Sequence, residues 1–183
     1  FAENIAIEAK DNILRFRNHA CLGLICGNNE LECAWTDWKD VQGHAPSLKR
    51  DYLYQFEFLL ADVAKENAPD AFYWPSSPSS GGSFDNPCDE NRGDCHYWDV
   101  WHGNKPFSDY RNYYFRYASE FGFQSFPSFE TIKTFTDDPA DWNIFSYVME
   151  KHQRNAGANG KILNYLQQTF RYPTEFTTLL YAS

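Results

Sequence analysis

The sequence predicts an α/β protein, and two stretches and one rhythm carry that prediction. The first stretch is Leu22-Gly23-Leu24-Ile25-Cys26-Gly27-Asn28-Asn29-Glu30, a short apolar run that stops abruptly at Gly-Asn-Asn-Glu. A run of that length, bounded by Gly and Asn, has the form of a strand buried on both faces, as in parallel sheets. The second stretch, Phe115-Arg116-Tyr117-Ala118-Ser119-Glu120-Phe121-Gly122, also leads from an apolar-rich segment into a glutamate close to a glycine. The rhythm is the alternation of helical spacing with short apolar runs. Ligands and catalytic groups gather at the C-terminal ends of strands in α/β folds, so Glu30 and Glu120 are the leading candidates for function.

Taken in order, residues 3–17 carry Ile5, Ala9, Ile13 and Phe16 at helical spacing, and Arg17-Asn18-His19 ends that helix before a strand over 22–26. An irregular segment with Trp35 and Trp38 follows, closed by Gly43 and Pro46. Ser47 is placed to cap the next helix, because its hydroxyl can accept from a free backbone N–H. That helix shows Tyr52, Phe56, Leu59, Leu60 and Val63 on one face and runs to about Asn67. Ala71-Phe72-Tyr73-Trp74 is a short strand stopped by Pro75. Residues 75–95 are rich in Pro, Ser and Gly, and their place after a strand favours a functional loop over a linker.

His96-Tyr97-Trp98-Asp99-Val100-Trp101 forms an aromatic strand, counted over 97–101 and ended by His102-Gly103. A short helical segment near 108–113 and a strand over 115–119 come next. The remainder is helical. A turn after Pro127-Ser128 carries Ile132 and Phe135, and Asp141 is placed to cap a helix with Ile144, Phe145, Val148 and Met149. Gly160 opens a segment with Ile162, Leu163, Leu166 and Phe170, and Pro173-Thr174 start a last helix with Phe176, Leu179 and Leu180. Four strands so placed make half of an eight-stranded barrel or a small open sheet.

Composition narrows the function. With 183 residues, 43% hydrophobic and 22% charged, the chain is globular and sized for one domain. The net charge of −9 argues against nucleic acid, which needs a basic footprint. No apolar run approaches the ~20 residues of a membrane span, so no membrane partner is expected. Aromatics reach 19%, which suits an aromatic core or flat platforms for sugar rings. The five cysteines, an odd number, do not suggest a disulfide framework. With no Asn-x-Ser/Thr sequon, this favours a reducing, cytoplasmic setting. Cys88, Asp94, Cys95 and His96 hint at zinc, but no second Cys or His pair completes a site, so neither metal nor cofactor is expected. Nucleotide-binding glycine motifs and a Gly-x-Ser-x-Gly elbow are absent. Phe1 opens the chain without Met and already belongs to an element, so a preceding segment is expected.

Two carboxylates at the ends of barrel strands can flank one glycosidic bond. A retaining hydrolase holds them about 5–5.5 Å apart, one as acid and base, the other as nucleophile. The alternative is that each glutamate caps a helix or pairs with a surface arginine.

The same residues resemble a family. Arg17-Asn18-His19 followed by Gly27-Asn28-Asn29-Glu30 is similar to the Arg-Asn-His-Pro…Gly-Asn-Asn-Glu signature of β-mannosidases in glycoside hydrolase family 2, with Ala20 in place of the proline. Ser119-Glu120-Phe121-Gly122-Phe123-Gln124-Ser125-Phe126-Pro127 resembles their nucleophile motif. Gly93-Asp94-Cys95-His96-Tyr97-Trp98-Asp99-Val100-Trp101-His102-Gly103 and Tyr73-Trp74-Pro75-Ser76-Ser77-Pro78 resemble the segments between, in the same order.

The resemblance implies a retaining exo-β-mannosidase acting on terminal β-mannosyl residues, with Glu30 as acid/base and Glu120 as nucleophile. It implies that Asn29 binds the sugar 2-hydroxyl and that Trp35 or Trp38, with Trp98 and His102, line the sugar pocket. His96 has two open roles, in the pocket or as a structural histidine. The implied fold is a partial (β/α)8 TIM barrel, about strands four to seven, with all of 1–183 inside the catalytic barrel domain. The implied partners are a β-mannoside or manno-oligosaccharide and the rest of a parent enzyme, namely the missing barrel strands and β-sandwich domains. Two other functions stay open: a sibling β-galactosidase, β-glucuronidase or glucosaminidase specificity, and a non-catalytic sugar-binding module.

Overall fold

The computed structural model describes residues 1–41, 43 and 45–183. It divides into two compact units, residues 1–97 with 108–121, and residues 98–107 with 122–183.

In the first unit, helix α1 (Ala2–Phe16) packs on helix α4 (Leu60–Asn67). The spacing of Ile5, Ala9 and Ile13 turns one side of α1 inward, and Ile13 is buried with Ala64 and Ala68. Phe16, expected on that face, is exposed. Strand β1 (Leu24–Cys26) pairs in parallel with β2 (Phe72–Trp74), Leu24 opposite Phe72 and Cys26 opposite Trp74. Alternation along these strands explains their burial. Ile25 and Tyr73 face the α1/α4 cluster, whereas Leu24, Cys26, Phe72 and Trp74 line a cavity of about 550 Å³. The expectation of a strand buried on both faces is therefore corrected: among the described residues only one face of β1 is covered by helices, and Leu24 and Cys26 are exposed.

One short helix occupies a stretch expected to be irregular, and the helix expected from Ser47 starts slightly early. Helix α2 (Leu31–Asp37) lies where an irregular segment was expected. It buries Glu32 and Ala34 and leaves Leu31 exposed, so it has no apolar stripe to announce it. Helix α3 (Pro46–Tyr52) starts one residue before the expected cap. Ala45 is the N-cap residue and Pro46 opens the first turn, a position where its missing N–H is no loss. A π-helical stretch, Leu53–Leu59, joins α3 to α4.

Strand β3 (Cys95–Tyr97) pairs in parallel with β4 (Ala118–Phe121). Both are shifted from the expected 97–101 and 115–119. Residues 98–103 are turns instead, with the His102 N–H donating to the Trp98 carbonyl at 2.7 Å, and Val100 and Trp101 fully or nearly buried. Buried aromatic residues suit a strand and a buried turn equally, which is why the pattern misled. The register slips between Cys95 and His96: Ala118 faces Cys95 and Glu120 faces His96, leaving Ser119 in a bulge.

The second unit is helical: α5 (Phe129–Lys133), α6 (Tyr147–His152), α7 (Ala158–Thr169) and α8 (Phe176–Ala182). Ala158, Ile162 and Leu166 of α7 join a core of Trp101, Phe126, Ile132, Ile144, Met149 and Leu180, while the Tyr165 ring packs on Phe107 and Phe123. The Tyr165 hydroxyl donates towards the carbonyls of Val100 (2.6 Å) and Lys105 (2.5 Å), fixing the 98–107 segment to α7. Ser128 caps α5, its side chain accepting from the Thr131 N–H. Asp141 does not cap a helix. It lies in a 3-10 turn (Pro139–Asp141), and Ser146 caps α6. The chain leaves helix there because side chains satisfy the backbone, Asn143 accepting from Phe145 N–H and Ser146 donating to the Asp141 carbonyl. Gly160 and Pro173-Thr174 fall inside α7 and before α8, so both boundaries move by a few residues. No helix among the described residues is long and apolar enough to cross a membrane.

Two glycines fix the approach of chains around β2. A Cβ at Gly27 would lie 2.5 Å from both the Pro75 carbonyl oxygen and the Tyr73 hydroxyl. Gly93 has φ +58°, and a Cβ there would lie 1.9 Å from the Ser79 carbonyl oxygen. Gly93→Ala should cost on the order of 3 kcal/mol, since it combines a left-handed backbone with a clash against main chain. Urea unfolding checks this, and an unchanged midpoint would show that the 79–93 contact is not a constraint.

Candidate active site

The parallel ladder of β1 and β2 runs past the strands and delivers Glu30. Gly27 N–H donates to the Trp74 carbonyl (2.8 Å), Ser77 N–H to the Asn28 carbonyl (3.0 Å), and Glu30 N–H to the Ser77 carbonyl (2.7 Å). Asn29 bridges to Ser77 in parallel register. Asn28 locks the turn from its side chain. It donates to the Pro75 carbonyl (2.8 Å) and accepts from the Ser76 hydroxyl (2.8 Å) and the Leu31 N–H (3.2 Å).

Glu30 then adopts φ 61°, a left-handed conformation unusual for a residue with a side chain. It occupies the N-cap position of α2, yet its carboxylate makes no cap hydrogen bond. It reaches instead to His96, whose Nδ1 lies 2.8 Å from Glu30 Oε1. Such a conformation persists only where the surroundings hold it, and here the Glu30 N–H bond to the Ser77 carbonyl does so.

Glu120 arrives from the other sheet. It stands opposite His96 in the β3/β4 register, and its Oε2 is 3.3 Å from the same Nδ1. The two carboxylates, distant in sequence, thus meet at one imidazole nitrogen. His96 is almost fully buried, its side chain 4% exposed, while Glu30 and Glu120 keep 23% and 38% of theirs open to solvent. The ligand atoms of Glu30, His96 and Glu120 all lie within 4.8 Å of one another.

Behind the imidazole lies a second carboxylate system. His96 Nε2 is 3.0 Å from the Ser77 hydroxyl, which donates to Asp94 Oδ2 at 2.6 Å. Ser119, freed by the bulge, donates to the same oxygen at 2.5 Å. Asp94 Oδ1 accepts from Trp74 Nε1 and from Ser79 N–H, both at 3.0 Å. A buried carboxylate with four donors is satisfied at every lone pair, which is the condition for tolerating its burial. The 75–94 loop is accordingly not a slack linker. Ser76, Pro78 and Ser79 are fully buried, and its two ends are joined by the Asp94 N–H to the Ser79 carbonyl at 3.2 Å.

Glu30, His96 and Glu120 are the one group of three such side chains among the described residues whose donor atoms lie close enough together to share an ion. Two carboxylates and an imidazole are a donor set a divalent cation accepts. At 2.8 Å, however, Nδ1 and Glu30 share a proton, and an ion would have to displace it. The zinc set hinted at by Cys88, Asp94, Cys95 and His96 does not converge, because the His96 ring and Asp94 are engaged elsewhere and Cys88 Sγ lies against the His96 carbonyl. Burial pushes the Cys33 thiol up to about 12 and raises that of Cys95, so neither is a ready thiolate ligand.

The remaining candidates fall in both units. Asn29 is exposed directly before Glu30. Trp35 is half-buried, its ring 5.8 Å from that of Phe84 in the 75–94 loop, and Trp38 is 47% exposed just past α2. Trp98 and His102 belong to the second unit, where their rings meet edge-on at 5.7 Å. Ser77, Ser119 and the anchoring role of Asn28 were not anticipated. A signal for Ser77 was present: it follows β2 at nearly the spacing by which Glu30 follows β1.

No protein-family model matches the chain. Relatives nevertheless cover almost all of it. "Beta-mannosidase B" of Aspergillus clavatus is 33% identical over 188 residues, which make up 98% of this chain and 22% of that protein. "Beta-mannosidase B" of Neosartorya fischeri is 33% identical over 191 residues, with the same coverage. Among solved structures, β-D-mannosidase from Dictyoglomus thermophilum matches with a TM-score of 0.82 and 29% identity, over all of this chain and 22% of that one. The chain spans about a fifth of the length of these relatives.

Beside the site, Glu32 supplies a test of the local electrostatics. It is fully buried at the start of α2 and accepts from the Ser79 hydroxyl at 2.8 Å, and burial raises its carboxyl above the ordinary value, partly offset by that bond. A pKa raised on folding means that the folded state holds the proton more tightly. The stability Glu32 contributes is therefore full below the unfolded carboxyl value and is lost as pH rises through the folded one. In urea melts from pH 4 to 8, Glu32→Gln should lose less stability with rising pH than the parent chain. Parallel curves would show that Glu32 is ionised at no cost.

Proposed function

We propose that this chain, a homologue of the β-mannosidases along nearly its whole length, carries the two catalytic carboxylates of a retaining exo-β-mannosidase. The observation that supports it is the meeting of Glu30 and Glu120 at His96 Nδ1, with ligand atoms within 4.8 Å. Retaining glycosidases keep their carboxyl groups about 5–5.5 Å apart, whereas inverting ones leave 6.5–9.5 Å for a water.

In this proposal Glu120 attacks the anomeric carbon of a terminal β-mannosyl residue while Glu30 gives its proton to the leaving oxygen. Glu120 enters that step as the anionic nucleophile and Glu30 as the proton donor. The glycosyl ester on Glu120 removes that negative charge. Glu30, now the base, takes a proton from water as the water attacks the same carbon and releases Glu120. Asn29, exposed beside Glu30, is the proposed contact for the sugar 2-hydroxyl, and Trp35 or Trp38 with Trp98 and His102 are the proposed aromatic lining.

We also infer that β1–β4 are strands four to seven of a (β/α)8 barrel, with all of 1–183 inside the catalytic domain. Parallel pairing within both sheets and the likeness to the solved β-D-mannosidase support this. The remaining strands and the β-sandwich domains of a longer enzyme would then cover the face of Leu24, Phe72 and Tyr117 that lines the 550 Å³ cavity. The isolated 183-residue chain is accordingly expected to turn over aryl β-mannosides weakly, and strong turnover would contradict that part of the proposal.

The decisive variants are made in a protein extended to the relatives' length. Glu120→Ala should lower kcat on the order of 10⁴-fold or more for every substrate. Glu30→Ala should lose about 10²–10⁴-fold on poor leaving groups but keep the glycosylation step for a dinitrophenyl mannoside, with azide speeding release. Equal loss on good and poor leaving groups would remove Glu30 from the acid role. Preference for an aryl galactoside, glucuronide or glucosaminide in a substrate panel would move the specificity to a sibling.

A further inference from the structure

We propose that Asp94 is a positioning residue which, through Ser77, forces His96 to carry a proton on Nε2 and so keeps one mobile proton between His96 Nδ1 and the two carboxylates. The chemical assignment of that proton rests on the mannosidase proposal above, whereas the tautomer does not.

Ser77 has one hydroxyl proton, and the Asp94 carboxylate at 2.6 Å is an acceptor only. Asp94 cannot return a proton, because Trp74 Nε1, Ser79 N–H and the Ser119 hydroxyl fill its other positions. Ser77 therefore faces His96 Nε2, 3.0 Å away, with a lone pair, and Nε2 must donate. The proton on a histidine nitrogen is set by what its other partners can accept.

With Nε2 protonated, Nδ1 has two possible states. It is either a bare lone pair facing Glu30 and Glu120, in which case one carboxyl is protonated, or it is protonated as part of an imidazolium between two carboxylates. In both, the group of Glu30, His96 and Glu120 holds one dissociable proton. Were Ser77 free to donate to Nε2, the neutral Nδ1–H form would satisfy both carboxylates and the group would hold none. Asp94, which touches neither reacting carboxylate, thus decides whether a proton is on hand for the leaving oxygen.

Asp94→Asn separates these states. The amide oxygen must stay with Trp74 Nε1 and Ser79 N–H, which need an acceptor, so the amide NH₂ points at Ser77 and Ser119. The Ser77 hydroxyl then donates to Nε2 and the tautomer inverts. Long-range ¹⁵N–¹H spectra of the histidine rings in the 183-residue chain read this directly, with His96 assigned by a His96→Gln variant. The expected result is a protonated Nε2 in the parent chain and a proton-free Nε2 in Asp94→Asn. If Asp94→Asn does not fold, Ser77→Ala should give the same loss of the Nε2 proton, because its acceptor is gone, and Ser119→Ala should leave the tautomer as in the parent. A proton-free Nε2 in the parent chain, or an Nε2 still protonated in Asp94→Asn or Ser77→Ala, overturns the proposal.

Kinetics in the extended protein give the second readout. Asp94→Asn should lose about 10²-fold or more on an alkyl mannoside and less than about tenfold on the dinitrophenyl mannoside, as loss of a general acid requires. Equal losses on both would make Asp94 merely structural. If the unmutated extended protein turns over neither substrate, the mannosidase proposal fails, while the ring spectra still decide the tautomer.

Discussion

A single buried carboxylate sets the arrangement around the site. Asp94 is 7% exposed and must be satisfied where it lies, because an unpartnered buried charge is among the most destabilising features a fold can carry. Its four donors come from the end of β2, the start of the long loop and the bulge of β4, and Asp94 itself immediately precedes β3. β1 and β2 form one small sheet, β3 and β4 another. Asp94 is where polar groups from both converge, and through Ser77 it connects to the imidazole at which Glu30 and Glu120 meet.

The site was legible where chemistry follows strand ends. Glu30 and Glu120 follow from an apolar run breaking into a glutamate, and the structure does bring them to one nitrogen. Glu30 shows both halves of the original choice: it does occupy a helix N-cap position, but its side chain serves His96 rather than the helix. The double asparagine divides its duties, with Asn28 tying down the turn and Asn29 left exposed beside Glu30.

Other parts were illegible for stated physical reasons. Helix α2 buries a glutamate and an alanine, which no hydrophobic pattern registers. Val100 and Trp101 are as apolar as a strand but fold as a buried turn, because α7 offers Tyr165 to bond their segment. Apart from its spacing after β2, Ser77 looks like any serine of a Pro- and Ser-rich loop, and the parallel register that sets it against Asn29 and Glu30 gives it its meaning. The bulge that turns Ser119 and Glu120 to different tasks leaves no mark in a sequence of alternating residue types. Local propensity speaks to elements, whereas these features arise from pairing between distant strands.

In the proposed reaction Glu120 forms a covalent bond to the sugar while Glu30 serves as acid and base. Trapping with a 2-fluoro-mannosyl fluoride in a protein of the relatives' length, followed by peptide mass mapping, tests it most directly, because the 2-fluorine slows both formation and release of the glycosyl ester while the fluoride leaving group speeds formation alone. The account predicts one sugar, attached to the peptide that contains Glu120 and lost when Glu120 is replaced. A sugar attached to any other residue, or turnover with no trapped intermediate and with inversion at the anomeric carbon, would contradict it.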